Sequence, residues 1–113
     1  MRISFKQRKL RDLANNDRVM KRALGALRAR KLRLRLTQLE VATTLEDVRH
    51  LAGRYHALTG DRKGQWSCDL DHPYRLILSP SELPIPVNGD GQFMWSEIRS
   101  VVVIEIVDYH NEG

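Results

Sequence analysis

The apolar positions of this chain change their period once, near Gly53. Before that point they recur at intervals of three and four, the spacing of one helix face; beyond it they alternate, the spacing of a half-buried strand. A short exception comes first: "RISF" at residues 2–5 alternates and fits an edge strand. "KQRKLRDLANN" then places Leu10, Leu13 and Ala14 on one side and ends in Asn15 and Asn16, good helix terminators. Asp17 can cap the next helix, because a carboxylate accepts the free N–H groups of a helix start. Residues 18–42 read as one long helix. "KLRLRL" within it alternates like a strand, but in the wider window Leu32, Leu36, Leu39 and Ala42 step by four, three and three. Ala23, Leu24 and Leu27 form a comparable stripe, with Gly25 as a weak point and Leu34 at the stripe's edge. Thr44, three residues before Asp47, resembles a capping box and predicts a helical turn over 45–49.

After Gly53, "RYHAL", "QWSCDLD" and "YRLIL" are strand-like, separated by the turn sequences "TGDRKG" and "HP". Residues 79–95 hold three of the four prolines and form a surface insertion, and "SVVVIEIVDY" is a long β-branched final strand. Helices first and a meander afterwards predict an α+β fold in one domain, 1–113, whose N-terminal helices cover one face of a three- or four-stranded antiparallel sheet. A chain of 113 residues holds one core and not two.

Composition narrows the class. The chain is 42% hydrophobic and 29% charged, with no run near the roughly 20 apolar residues that a membrane helix needs. No apolar signal core follows the basic start, and the single Cys68 makes no internal disulfide, so the expected location is cytoplasmic, away from membranes. Charge is divided: up to Arg49 there are 14 Lys/Arg against five Asp/Glu, and from His50 onward five against nine. A basic half points to a polyanionic partner, nucleic acid or an acidic protein, although charge of this kind also decorates ordinary helix surfaces.

The chemistry-bearing residues give no metal or cofactor signal. His50 and His56 are six apart across a predicted break, and neither an HExxH nor a CxxC motif is present. What remains lies on neighbouring strands: His56, then Arg75, then Asp108, Tyr109 and His110 at the end of the last strand. If those strands share a sheet, the groups converge. Two histidines, a carboxylate, a tyrosine and an arginine suit metal-free cleavage of RNA, which needs a base for the 2′-hydroxyl, an acid for the leaving 5′-oxygen and a cation on the phosphorane. Taken singly, each has a plainer structural explanation. Asp108 can pair with Arg75 as a salt bridge, and Trp66 and Tyr74 can be packing residues rather than stacking platforms.

"HALTGDRKGQWSCDL", "YRLIL" and "IEIVDYH", preceded by "ATTLEDVR", resemble the HigB-type (host inhibition of growth) toxins of the RelE/ParE superfamily. The resemblance spans most of the chain in order. It implies a RelE-like, microbial-RNase-like fold and the toxin of a type II toxin–antitoxin pair. It further implies a ribosome-dependent mRNA endonuclease held in check by a HigA-like helix-turn-helix antitoxin, with mRNA and ribosome as its other partners and no cofactor. Carried over by position, His56, Arg75, Asp108, Tyr109 and His110 are the catalytic set. His110 or Asp108 is the base, His56 the acid, Arg75 the phosphate clamp and Tyr109 an orienting or stacking group, with base and acid exchangeable. Arg62, Lys63 and Trp66 are assigned to substrate binding.

Two departures stand out. Thr59 occupies a position where the family often has lysine, with Arg62 or Lys63 as substitutes, and the 79–95 insertion exceeds the tight hairpin of short members. The basic residues 21–35 suit ribosomal RNA backbone. Other classes stay open: a non-enzymatic toxin that inhibits DNA gyrase, as the ParE branch does, or a catalytically silent RNA-binding module.

Overall fold

A computed structural model of the chain describes residues 1–109. Strand β1 (Arg2–Phe5) leads into helices α1 (Arg8–Ala14), α2 (Asp17–Leu24) and α3 (Ala26–Val41). Strands β2 (His56–Ala57), β3 (Trp66–Asp69), β4 (Tyr74–Pro80) and β5 (Ser100–Asp108) follow, with 3-10 turns at Leu45–Val48, Gly60–Arg62 and Trp95–Glu97. The sheet has five strands in the order β1-β5-β4-β3-β2, one more than the upper expectation. β1 runs parallel to β5 while the other pairs are antiparallel, so the sheet is mixed. The α+β class holds, with the helices on one face.

The expected long helix is two. Gly25 at φ +85° and ψ 159° ends α2 and opens α3, a conformation that suits glycine because it lacks a Cβ. The cap of α2 is Asn16 rather than Asp17: its side chain accepts from the Arg18 and Val19 amides at 3.1 and 3.2 Å. The predicted Leu32, Leu36 and Leu39 of α3 are buried, as is Ala42 at its end, and Ala29 joins them, whereas Ala23, Leu27 and Leu34 face solvent. The Thr44–Asp47 capping box is present, with the Asp47 carboxylate accepting from the Thr43 and Thr44 amides at 2.8 and 3.2 Å.

α3 lies over the sheet face that carries Trp66, Cys68, Leu76, Leu78, Val101, Val103 and Ile106, and these side chains form one core with the helix leucines. Each fully buried leucine contributes about 1.5–3 kcal/mol. Trp66 belongs here. It is fully buried, its ring 5.0 Å from Phe93 and 5.7 Å edge-on to Trp95, so its assignment to substrate binding is corrected to core packing. Among the described residues, no helix is long and apolar enough to cross a membrane.

Candidate active site

Residues paired across a sheet share a face, and successive residues of a strand alternate between faces. β2 pairs His56 with Ser67, and Ser67 pairs with Ile77, which pairs with Glu105. One step of two further along, Asp69 pairs with Arg75 and Arg75 with Val107. These residues therefore occupy the face turned away from α3. Ile77 and Val107 are buried yet lie outside the main core, as expected for apolar side chains on that second face.

A β-bulge sets which residues of β5 reach this face. Upstream, Val101 and Val103 point to the helices, opposite Pro80 and Leu78. The register then shifts between Ile77 and Leu78, so Glu105 pairs with Ile77 and Ile104 is the extra residue. Parity inverts as a result. Glu105 and Val107 take the open face, Ile106 packs into the core, and Asp108 pairs with Tyr74, one residue out of phase with Arg75. Asp108 is thus set on the helix-side face, apart from His56 and Arg75. Tyr109 follows on the open face, where the Arg75 guanidinium lies 4.7 Å from the ring centroid. His110 lies outside the described residues.

His56 is held at both ring nitrogens. Nδ1 is 2.7 Å from the Arg54 carbonyl, which can only accept, so Nδ1 carries the proton. The neutral ring then presents Nε2 as an acceptor, 3.3 Å from the buried Ser67 hydroxyl. When Nε2 gains a proton, the same pair reverses and the ring becomes a donor. His56 is half-buried, and with both nitrogens engaged its ring can take up or give a proton at Nε2 without losing its orientation.

Arg75 is fixed between a carboxylate and a ring. Its Nη1 is 3.5 Å from Asp69 Oδ1, and Arg54 Nε lies 3.6 Å from Asp69 Oδ2. Asp69, to which no sequence motif points, positions two guanidinium groups on this face. Arg75 thereby finds its carboxylate in Asp69, directly opposite it on β3, rather than in Asp108 as the sequence suggests. Arg62 sits on the flank, its Nη1 2.9 Å from Gln65 Oε1 and 3.4 Å from Glu105 Oε2, and Lys63 beside it is exposed.

Beneath these groups lies a second residue missed in the sequence. Arg35, from the alternating "KLRLRL", is 5% exposed, whereas Lys21, Arg22 and Arg30 of the same basic segment face solvent. Its Nε donates to the Asp69 carbonyl at 2.7 Å and its Nη1 to the Ala52 carbonyl at 3.2 Å. Gly53, at φ +123°, packs directly on the guanidinium, and its carbonyl accepts from the Asp69 amide at 2.8 Å. Arg54 then adopts φ 51°, a left-handed conformation that costs about 1–3 kcal/mol in a non-glycine residue. The strained residue is the one whose carbonyl orients His56. Cys68 and Tyr55 border this cluster; burial pushes the thiol up to about 12 and raises the phenol as well.

Among the described residues, no group of three or more His, Cys, Asp or Glu side chains is gathered as metal ligands. The chemistry that the face offers is a fixed imidazole, a stacked guanidinium and three further cations, Arg54, Arg62 and Lys63.

No protein-family model matches the sequence, and no curated protein matches it. Among solved structures the chain is similar to a YoeB/ParE toxin from Agrobacterium tumefaciens, at 14% identity and a TM-score of 0.56, over 94% of this chain and 95% of that one. At that identity the likeness establishes the fold, a RelE-like α+β architecture, over nearly the whole length of both chains.

Proposed function

We propose that this chain is the toxin of a type II toxin–antitoxin pair and an mRNA endonuclease that acts on the translating ribosome in the cytoplasm, neutralised by a HigA-like helix-turn-helix antitoxin. The observation that carries the reading is the pairing, on one sheet face, of an imidazole fixed at both nitrogens with an arginine braced between Asp69 and Tyr109. A protein that only blocks another protein has no use for an oriented proton-transfer group on the same sheet face as a braced guanidinium. The fold shared with a protein titled as a YoeB/ParE toxin and the HigB-type sequence resemblance support the same assignment.

In the proposed reaction the 2′-oxygen of a nucleotide bonds to its own 3′-phosphorus and the bond from phosphorus to the 5′-oxygen breaks. A base takes the 2′-proton, and an acid gives a proton to the departing 5′-oxygen, leaving a cyclic phosphate and a free 5′-hydroxyl. His56, protonated at Nε2, is the acid. His110 is the base, a role that rests on sequence resemblance. Asp108 is the weaker candidate for that role, because the β5 register sets it on the other face. Arg75 neutralises charge on the phosphorane, with Arg62 and Lys63 on the approaching backbone. Tyr109 orients Arg75 and stacks against a base.

Primer extension on messages from cells expressing the chain tests this. New 5′ ends within translated regions are expected, and they disappear with His56→Ala or Arg75→Ala. Cuts that persist in both variants would falsify the assignment. Growth arrest without new ends, together with loss of gyrase supercoiling, assigns the chain to the gyrase-directed class, and arrest with neither assigns it to the silent RNA-binding class.

A further inference from the structure

Beyond the free edge of β2 lies a groove of about 850 Å³, of whose lining residues only Lys63 has a role above. It runs between residues 57–63, which follow His56 directly, and residues 88–95 of the insertion, with Arg49 and Trp95 among the lining side chains. Its size is in the range of sites that bury a small organic ligand, roughly 300–1,000 Å³. The insertion wall is built rather than loose. Asn88 Oδ1 accepts from the Asp90 and Gln92 amides at 2.9 and 3.0 Å, and its Nδ2 donates to Gln92 Oε1 at 2.9 Å. Val87 bridges Phe93, the Met94 amide donates to the Pro86 carbonyl at 3.0 Å, and Ile85 packs against Gly64.

The lining has a consistent chemistry. Arg49 and Lys63 supply positive charge and, among the described residues, no Asp or Glu lines the groove, although Glu46 holds one edge of Arg49. Phe93 is half-buried, its ring fixed against Trp66, and Arg49 covers Trp95 at 4.2 Å. Gln92 adds an amide at the groove wall. Cations for a phosphate backbone, a rigid aromatic for a base and an amide for a base edge are what single-stranded nucleic acid engages. An acidic protein segment would pair with Arg49 and Lys63 but would leave the aromatic ring and the amide without the planar base that they suit.

We infer that this groove holds the stretch of single-stranded RNA next to the one at His56, so that the insertion is a substrate-contacting element; the inference rests on the nuclease reading. RNA lying across the open face passes Arg62 and Lys63 and turns around the β2 edge into the groove.

The test is anisotropy titration of a fluorescein-labelled oligoribonucleotide carrying 2′-O-methyl groups, which the proposed reaction cannot cleave. Gln92→Glu keeps the acceptor for Asn88 but places a carboxylate in the groove, and is expected to weaken binding by about fivefold or more. Arg49→Gln is expected to lower the slope of log affinity against log salt by about 1. Leu83→Glu adds the same charge at a residue 84% exposed in the same insertion but outside the groove, and leaves affinity unchanged. Equal affinity in both groove variants, an equal loss with Leu83→Glu, or no binding by the wild-type chain overturns the groove assignment. The nuclease reading is scored separately by the message-cleavage assay, so each fails on its own.

Discussion

Replacing Gly53 by alanine places a methyl group where the fold has no room. An ideal Cβ there lies 2.8 Å from Arg35 Nε, 2.9 Å from Cζ and 3.1 Å from Cδ. Arg35 is not free to yield, because Nε is committed to the Asp69 carbonyl at 2.7 Å and Nη1 to the Ala52 carbonyl at 3.2 Å. Gly25 is the internal control: it too has positive φ, +85°, but nothing lies within 4 Å of its Cβ position. Backbone strain alone costs about 1–3 kcal/mol at either glycine. Overpacking against a pinned group adds about 1–3 kcal/mol at Gly53 only. Urea unfolding of the two variants, with unchanged slope, is therefore expected to show Gly53→Ala less stable than Gly25→Ala by at least about 1 kcal/mol. The clash is specific to the guanidinium, so Arg35→Met in the Gly53→Ala background is expected to show a coupling of about 1 kcal/mol or more. A difference below about 0.5 kcal/mol between the two alanine variants, with no coupling, refutes the claim that Arg35 is a rigid clamp. Message cleavage extends the test. Under conditions where both variants are folded, Gly53→Ala is expected to lose activity through the displaced Arg54 carbonyl, and Gly25→Ala to keep it.

Two further predictions come from groups around the same cluster. Arg75→Ala is expected to reduce cleavage by about 100-fold or more, as loss of a transition-state charge partner does, and Arg75→Lys to recover only part, since lysine lacks the planar group that lies over Tyr109; full recovery by lysine sinks the stacked-clamp description. The Cys68 thiol, pushed up to about 12 by burial, keeps its proton in the native state while the unfolded chain loses it near about 8.5, so stability falls as pH rises through that window, by about 1.4 kcal/mol per unit from this group. Tyr55, also raised, acts with the same sign above about pH 10. Urea unfolding at stepwise alkaline pH is expected to give a shallower decline for Cys68→Ala than for the wild type, and parallel declines count against it.

Local signals, each written in a few adjacent residues, are legible in the sequence. The Thr44–Asp47 box, the α1 stripe of Leu10, Leu13 and Ala14, and the alternation of β3 and β4 each depend on near neighbours, and each forms. Features that depend on tertiary partners are not. Arg35 has the same local pattern as Arg33, yet Arg33 reaches Asp17 near the surface and Arg35 is buried, because only the second meets the carbonyls of Ala52 and Asp69. Trp66 goes to the core for a similar reason, since its neighbours Phe93 and Trp95 come from an insertion whose prolines and glycines suggest a surface loop.

The candidate site shows the limit most sharply. His56 and Arg75 lie on one sheet face as the alternation implies, two strands apart, but the phase of β5 is not readable from "SVVVIEIVDY", where apolar residues fill both parities and only Glu105 interrupts them before Asp108. Strict alternation from Val101 and Val103 would send Glu105, Val107 and Tyr109 to the helices and Asp108 to the open face. The one-residue bulge at Ile104 reverses this, turning Ile106 against the core and bringing Tyr109 to Arg75 while Asp108 pairs with Tyr74. A second carboxylate beside Arg75, in addition to Asp69, would compete with phosphate for the rest of the guanidinium, whereas an aromatic ring leaves the outward edge of that group available. Asp69, already opposite Arg75 on β3, supplies the bracing expected of Asp108. The bulge therefore selects which of Asp108 and Tyr109 reaches Arg75, and it selects the one that leaves an edge of the guanidinium available for the phosphate role proposed for it.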